Sequence, residues 1–154
     1  MGTVDSLRNV KKIVDGCDEQ VIVVVSALGG ITDQLINTAK MASTGDPGYI
    51  QNFAAIAARH NDVVKGIVPP DKQSEVFSIL NHLLEELGNI YRGVSLIKDL
   101  SSRTLDIVVS YGERLSSEII SRILNDCTLF DSRKFIKTNT QFGKHIGNVE
   151  VTSD

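Results

Sequence analysis

A chain of 154 residues fits one compact domain of ordinary size, long enough to bury a real core. Hydrophobic residues make up 42% and charged residues 23%, and a net charge of -3 with both signs interspersed leaves no basic footprint for a nucleic acid. The segment Met1 to Arg8 holds no apolar stretch of a secretory leader, and the apolar run Val21 to Val25 is far too short to span a bilayer, so no membrane partner and a cytoplasmic location are expected.

Along the chain, residues 5–15 carry Leu7, Val10, Ile13 and Val14 at helical spacing, with Asp5 or Ser6 as the natural N-cap and Gly16 as the stop. The β-branched run Val21 to Val25 has no polar alternation and reads as a strand buried on both faces of a parallel sheet. A turn over Ser26 to Thr32 leads to a helix from about Asp33 to Ser43, closed by Thr44-Gly45-Asp46-Pro47-Gly48. Two more helices follow, over about 49–65 and, past Pro69-Pro70, over about 71–97. The second carries one apolar stripe of Val76, Leu80, Leu83, Leu84, Leu87, Ile90, Tyr91 and Val94, which reads as core or a partner-helix surface.

Leu105 to Val109 reads as a second strand, and Ser110 as the start of a helix running to about Asn125. Thr128 to Asp131 reads as a third strand and Phe135 to Thr138 as a short fourth, before a polar tail after Phe142. Strands alternating with helices predict an α/β fold with a mostly parallel sheet, in one domain over residues 1–154. Cys17 and Cys127 form no C-x-x-C pair and are expected as buried or half-buried free thiols, with no metal site. His60, His82 and His145 lack partners at ligand spacing and read as core or surface residues.

Two segments carry candidate chemistry. Ser26-Ala27-Leu28-Gly29-Gly30-Ile31-Thr32 sits where a strand passes through two glycines into a helix start, a place where backbone approaches a ligand and free N–H groups attract anions. It is not a P-loop, since no Gly-Lys-Ser/Thr follows. The plain alternative is a strand–turn–helix connection with Thr32 as N-cap. In Ser110-Tyr111-Gly112-Glu113-Arg114-Leu115-Ser116, Ser110 and Glu113 have the spacing of a capping box, while Glu113 at a strand end is also placed to hold a ligand ammonium. Asp131-Ser132-Arg133 is a weaker polar cluster of the same kind.

These segments resemble the aspartate kinases. Val24 to Asp33 is similar to the family's V-V-S-A-x-x-G-x-T-[DN], Ser110 to Ser116 to its S-[FYH]-G-E-x-x-S, and Phe130 to Arg133 to its F/L-D-A/V-R, in the same order and at comparable spacing. Val4 to Val10 also resembles the helix that follows the family's first strand. The resemblance implies the amino-acid-kinase fold, a three-layer α/β sandwich, and transfer of the ATP γ-phosphate to the side-chain carboxylate of L-aspartate. Thr32 would bind aspartate, Glu113 would receive its ammonium and Ser26 would line the same wall, with ATP and Mg²⁺ serving the complete enzyme. No catalytic or metal-ligating residue is carried over.

The departures also carry expectations. The chain starts beyond the point where the family's Lys-Phe-Gly-Gly-Thr-Ser strand would stand. It stops at Asp154, before the G-F-x-G and T-T-L-G-R-G-G-S-D segments and the regulatory ACT domains. The expectation is therefore a kinase domain cut at both ends and inactive alone, with an unpaired sheet edge that favours a homo-oligomer. The rivals are another amino-acid-kinase member, such as acetylglutamate or uridylate kinase, and a non-catalytic fragment that pairs with itself or a complementary chain.

Overall fold

The computed structural model describes residues 3–134, 136–137 and 150–151. They form five α-helices: α1 (Val4–Asp15), α2 (Ile31–Thr44), α3 (Tyr49–Ile67), α4 (Pro70–Ile97) and α5 (Ser102–Ile123). A 3-10 turn at Ser132–Lys134 and two two-residue strands, β1 (Ile136–Lys137) and β2 (Glu150–Val151), follow, and the strands pair antiparallel. Among the described residues no helix is long and apolar enough to cross a membrane.

Local chemistry explains where the helices begin and end. Thr3 caps α1 by accepting from Ser6 N–H, and Ser6 Oγ takes the Thr3 N–H in return, a reciprocal capping box; Gly16 ends the helix. Helix α2 closes on Gly45 in the left-handed region (φ 76°), where its N–H reaches the Ala42 carbonyl and that of Asp46 reaches Met41. Pro70 opens α4, where its missing N–H costs nothing. At 28 residues α4 is about 42 Å long, and its predicted stripe is the buried face: Val76, Leu80, Leu83, Leu84, Leu87, Tyr91 and Val94.

Helix α2 is the centre of the packing and touches α3, α4 and α5, while α1 lies on α3. Leu35 of α2, Ile56 and Val64 of α3, Leu80, Leu87 and Tyr91 of α4, and Leu115 and Ile119 of α5 are fully buried in one core. Tyr91 donates its hydroxyl to the Leu35 carbonyl at 3.1 Å, which satisfies the one polar atom of its buried ring.

The expected α/β sandwich with a mostly parallel sheet is overturned by this helical architecture. Among the described residues the only strand pairing is the antiparallel β1–β2 ribbon. Leu105 to Val109 lies inside α5. Ser101 caps that helix by accepting from Thr104 N–H, and Val108 continues into Tyr111, Gly112, Leu115, Ser116 and Ile119 on one 3.6-residue stripe. Leu105-Asp106-Ile107-Val108-Val109 is too short for its period to distinguish helix from strand; the cap four residues upstream decides it. Val21 to Val25 is neither helix nor strand, and Ile22 and Val24 are 95% and 89% exposed: the described residues offer no neighbouring strand to pair with it. Thr128 to Asp131 is likewise irregular, and of the expected fourth strand only Ile136 and Lys137 are described. His145 lies outside the described residues. Both cysteines are exposed rather than buried, each in the irregular chain beyond a helix.

His60 of α3 is fully buried. Its Nδ1 lies 2.8 Å from the Ile56 carbonyl, which only accepts, so Nδ1 carries the proton and Nε2 is left as a lone pair without a partner among the described residues. Burial first, with some repulsion from Arg59, holds its pKa below the ordinary histidine value of 6.5. The unfolded chain therefore binds a proton that the folded chain resists. Stability is full above about pH 7 and falls below about pH 6.5, by at most about 1.4 kcal/mol per pH unit. Urea midpoints between pH 7.5 and 5.5 should show this fall, and His60→Leu should flatten it.

Candidate functional site

The structure brings the first two sequence segments together across 90 residues of chain. Ser116 is fully buried on α5, and its Oγ donates to the Ser26 carbonyl at 2.8 Å while also lying 3.1 Å from the Glu113 carbonyl one turn back. Gly112, one turn before Ser116, faces the same segment. A β-carbon there would stand 2.7 Å from the Ala27 β-carbon and 3.3 Å from Leu35 Cδ1. Only a residue without a side chain lets α5 approach Ala27 this closely.

Ser26 is exposed, and its own hydroxyl reaches the Ala27 carbonyl only at 3.4 Å. Ala27 and Leu28 are buried, and Gly30 takes φ 79°, a left-handed conformation that turns the chain into α2. Gly30 is also the N-cap, and no side chain caps this helix. The expectation of Thr32 as cap is thus corrected: Thr32 stands in the first turn, half-buried, directly after Ile31, which meets Gly112 of α5.

The capping-box reading of Ser110 and Glu113 also falls, because both lie in the middle of α5. Ser110 Oγ bonds back to the Ile107 carbonyl at 2.7 Å, and the cap is Ser101. Glu113 is half-buried, between Gly112 and Ser116 in the turn that meets Ser26 and Ala27. Neither its carboxylate nor the Thr32 hydroxyl has a hydrogen-bond or ion-pair partner among the described residues. The site therefore joins a carboxylate with free lone pairs, a free hydroxyl and the glycine turn before an uncapped helix. Such a set suits a small ligand carrying both an ammonium and an anionic group.

The third segment is closed on itself. The Arg133 guanidinium grips both oxygens of Asp131, and these bonds, with a smaller contribution from Arg114 nearby, push its pKa down to about 2. It joins a cluster that the sequence did not disclose. Glu86 of α4 accepts from Tyr111 Oη at 3.0 Å and from Arg114 at 3.1 Å, and the Arg114 guanidinium stacks 4.3 Å over the Tyr111 ring. Nothing in Leu83-Leu84-Glu85-Glu86-Leu87 separates Glu86 from an ordinary surface glutamate. Among the described residues no group of three His, Cys, Asp or Glu side chains is placed to hold a metal ion.

Comparison with known proteins defines a class first: its relatives are aspartokinases, alone or joined to a homoserine dehydrogenase. Arabidopsis thaliana chloroplastic aspartokinase 1 is 29% identical over 131 residues, covering 80% of this chain and 22% of that protein. Chloroplastic bifunctional aspartokinase/homoserine dehydrogenase 2 of the same plant is 24% identical over 147 residues, covering 90% of this chain and 16% of that protein. Among solved structures, Escherichia coli aspartokinase III in complex with aspartate and ADP matches at 26% identity and a TM-score of 0.80, over 98% of this chain and 32% of that one. The same enzyme with lysine and aspartate matches at a TM-score of 0.79 and 25% identity. No family model matches the chain. The chain is homologous to a segment of the aspartokinases, and spans less than a third of the length of each of these relatives and about a third of aspartokinase III.

Helix propensity alone favours alanine over glycine inside a helix by about 1 kcal/mol. Close packing on Ala27 should reverse that sign, so Gly112→Ala is expected to destabilise the chain by about 1–3 kcal/mol in urea unfolding. Ser116→Ala should cost about 1 kcal/mol. A stabilising Gly112→Ala would contradict the close approach.

Proposed function

We propose that this chain is the aspartate-binding part of an aspartate kinase catalytic domain, within a protein that phosphorylates L-aspartate for amino-acid biosynthesis. The observation that carries the reading is the junction of the two motif segments at the Ser116–Ser26 bond, with Thr32 and Glu113 unpartnered beside it. Glu113 receives the substrate ammonium in a charge-assisted hydrogen bond, Thr32 gives its hydroxyl to a substrate carboxylate, and Ser26 lines the wall. In the reaction, an oxygen of the side-chain carboxylate forms a bond to the γ-phosphorus of ATP. The bond from that phosphorus to the β–γ bridging oxygen breaks, giving 4-phospho-L-aspartate and ADP. No covalent enzyme intermediate is needed, so the chain's residues contribute by holding the nucleophile in line.

ATP as donor is supported by the ADP in the aspartokinase III complex. Mg²⁺ belongs with it in this reading, and among the described residues no cluster of three metal-ligating side chains is placed to hold the ion. Lysine, threonine and methionine synthesis is the proposed setting, in the cytoplasm, although the plant relatives are chloroplastic. The exposed Ile22 and Val24 favour a second reading for the chain by itself: self-association into a homo-oligomer through this apolar segment. Sedimentation should then show assembly that Val24→Lys weakens, and a strict monomer would contradict it.

Titration calorimetry with L-aspartate and with succinate, which lacks the ammonium, tests the aspartate site. Glu113→Gln should weaken L-aspartate about tenfold or more, the loss of one charge-assisted bond, and leave succinate unchanged. Equal affinities of wild type and variant for L-aspartate would contradict the reading.

A further inference from the structure

We infer that Glu86 of α4 is a positioning residue for Glu113, setting the orientation of the helical turn that presents the carboxylate to a ligand ammonium. The inference rests on the proposed aspartate site. Helix α5 is pinned on two faces in the same turn. On one face, Gly112 packs against Ala27 and Ser116 bonds to Ser26. On the other, Tyr111 and Arg114 both bond to Oε2 of Glu86. Successive residues on a helix are about 100° apart, so Glu113 falls between these faces, about 100° from Gly112 on one side and from Arg114 on the other. Its side chain has no partner among the described residues, and the two flanking anchors set its direction.

The Glu86 anchor is built for holding rather than for filling space. The Glu86 side chain is 40% exposed and Arg114 22% exposed, whereas Tyr111 is 4% exposed and stacked beneath the Arg114 guanidinium. One carboxylate oxygen thus ties a buried ring and a half-buried cation to a neighbouring helix, and His82 lies 3.4 Å from the other oxygen. The Tyr111 hydrogen bond first, then Arg114, hold the Glu86 pKa below the ordinary glutamate value. Losing this carboxylate should free α5 to rotate by a small angle about its axis while the core beneath stays packed, and small displacements of an oriented group are costly to binding.

The test uses the whole chain with Glu86→Ala and Glu86→Gln, the latter retaining an oxygen that accepts from Tyr111 and Arg114. Glu86→Ala should bind L-aspartate about fivefold more weakly with succinate unchanged, and Glu86→Gln should return to within about twofold of wild type. Unchanged L-aspartate affinity in Glu86→Ala overturns the inference. So does a parallel loss of L-aspartate and succinate, which is the signature of a general structural role. If Glu113→Gln has no effect on L-aspartate, the aspartate reading itself fails. Amide hydrogen exchange over residues 112–116 then judges the anchor without any ligand: faster exchange in Glu86→Ala and wild-type exchange in Glu86→Gln support it, and unchanged exchange in Glu86→Ala overturns it.

Discussion

The hydrogen bond from Ser116 to the Ser26 carbonyl, with the bare Cα of Gly112 against Ala27 beside it, is the constraint on which the site depends. It joins segments 90 residues apart and fixes α5 against the turn into α2. Ser116 is fully buried, and losing its hydroxyl would leave the Ser26 carbonyl without that donor. The glycine matters as much as the serine. Any side chain at position 112 would push the helix off Ala27 and lengthen the bond one turn away.

Around this contact the core acts as a rigid frame. Helix α2 packs on α3, α4 and α5, so the turn that carries Thr32 and the turn that carries Glu113 are both anchored in buried apolar side chains. Thr32 and Glu113 stand at the edge of that frame, half-buried and with no hydrogen-bond or ion-pair partner among the described residues. The charged cluster of Glu86, Tyr111 and Arg114 brings α4 into the same arrangement. Its third neighbour, the Asp131–Arg133 pair, is satisfied internally and is better suited to ordering the chain after α5 than to meeting a ligand.

Much of this was legible in the sequence, for particular physical reasons. The α4 stripe runs from Val76 to Val94, about five turns, and a period sustained that long can only be a helix face. The Gly16 and Gly45 stops and the proline at the start of α4 lie where helix-end chemistry puts them. Thr32, Glu113 and Ser26 stand out in the sequence as motif members, but their local structural settings do not. Ser110 and Glu113 have capping-box spacing, and only the cap at Ser101 shows that they sit in mid-helix. Short β-branched runs misled the fold assignment in two ways. Leu105 to Val109 was absorbed into a longer helical stripe, and Val21 to Val25, whose composition calls for burial, has no strand partner among the described residues. Glu86 carried no signal, since a hydrogen-bond hub built from one helix-surface glutamate depends on tertiary contacts that spacing does not encode.

The most direct test of the central claim is a crystal structure of the chain grown with L-aspartate. The account predicts the ligand ammonium within about 3 Å of the Glu113 carboxylate, with a ligand carboxylate at the Thr32 hydroxyl and the Ser116–Ser26 bond intact. Aspartate bound elsewhere, or bound beside Thr32 with Glu113 turned away from its ammonium, would contradict it.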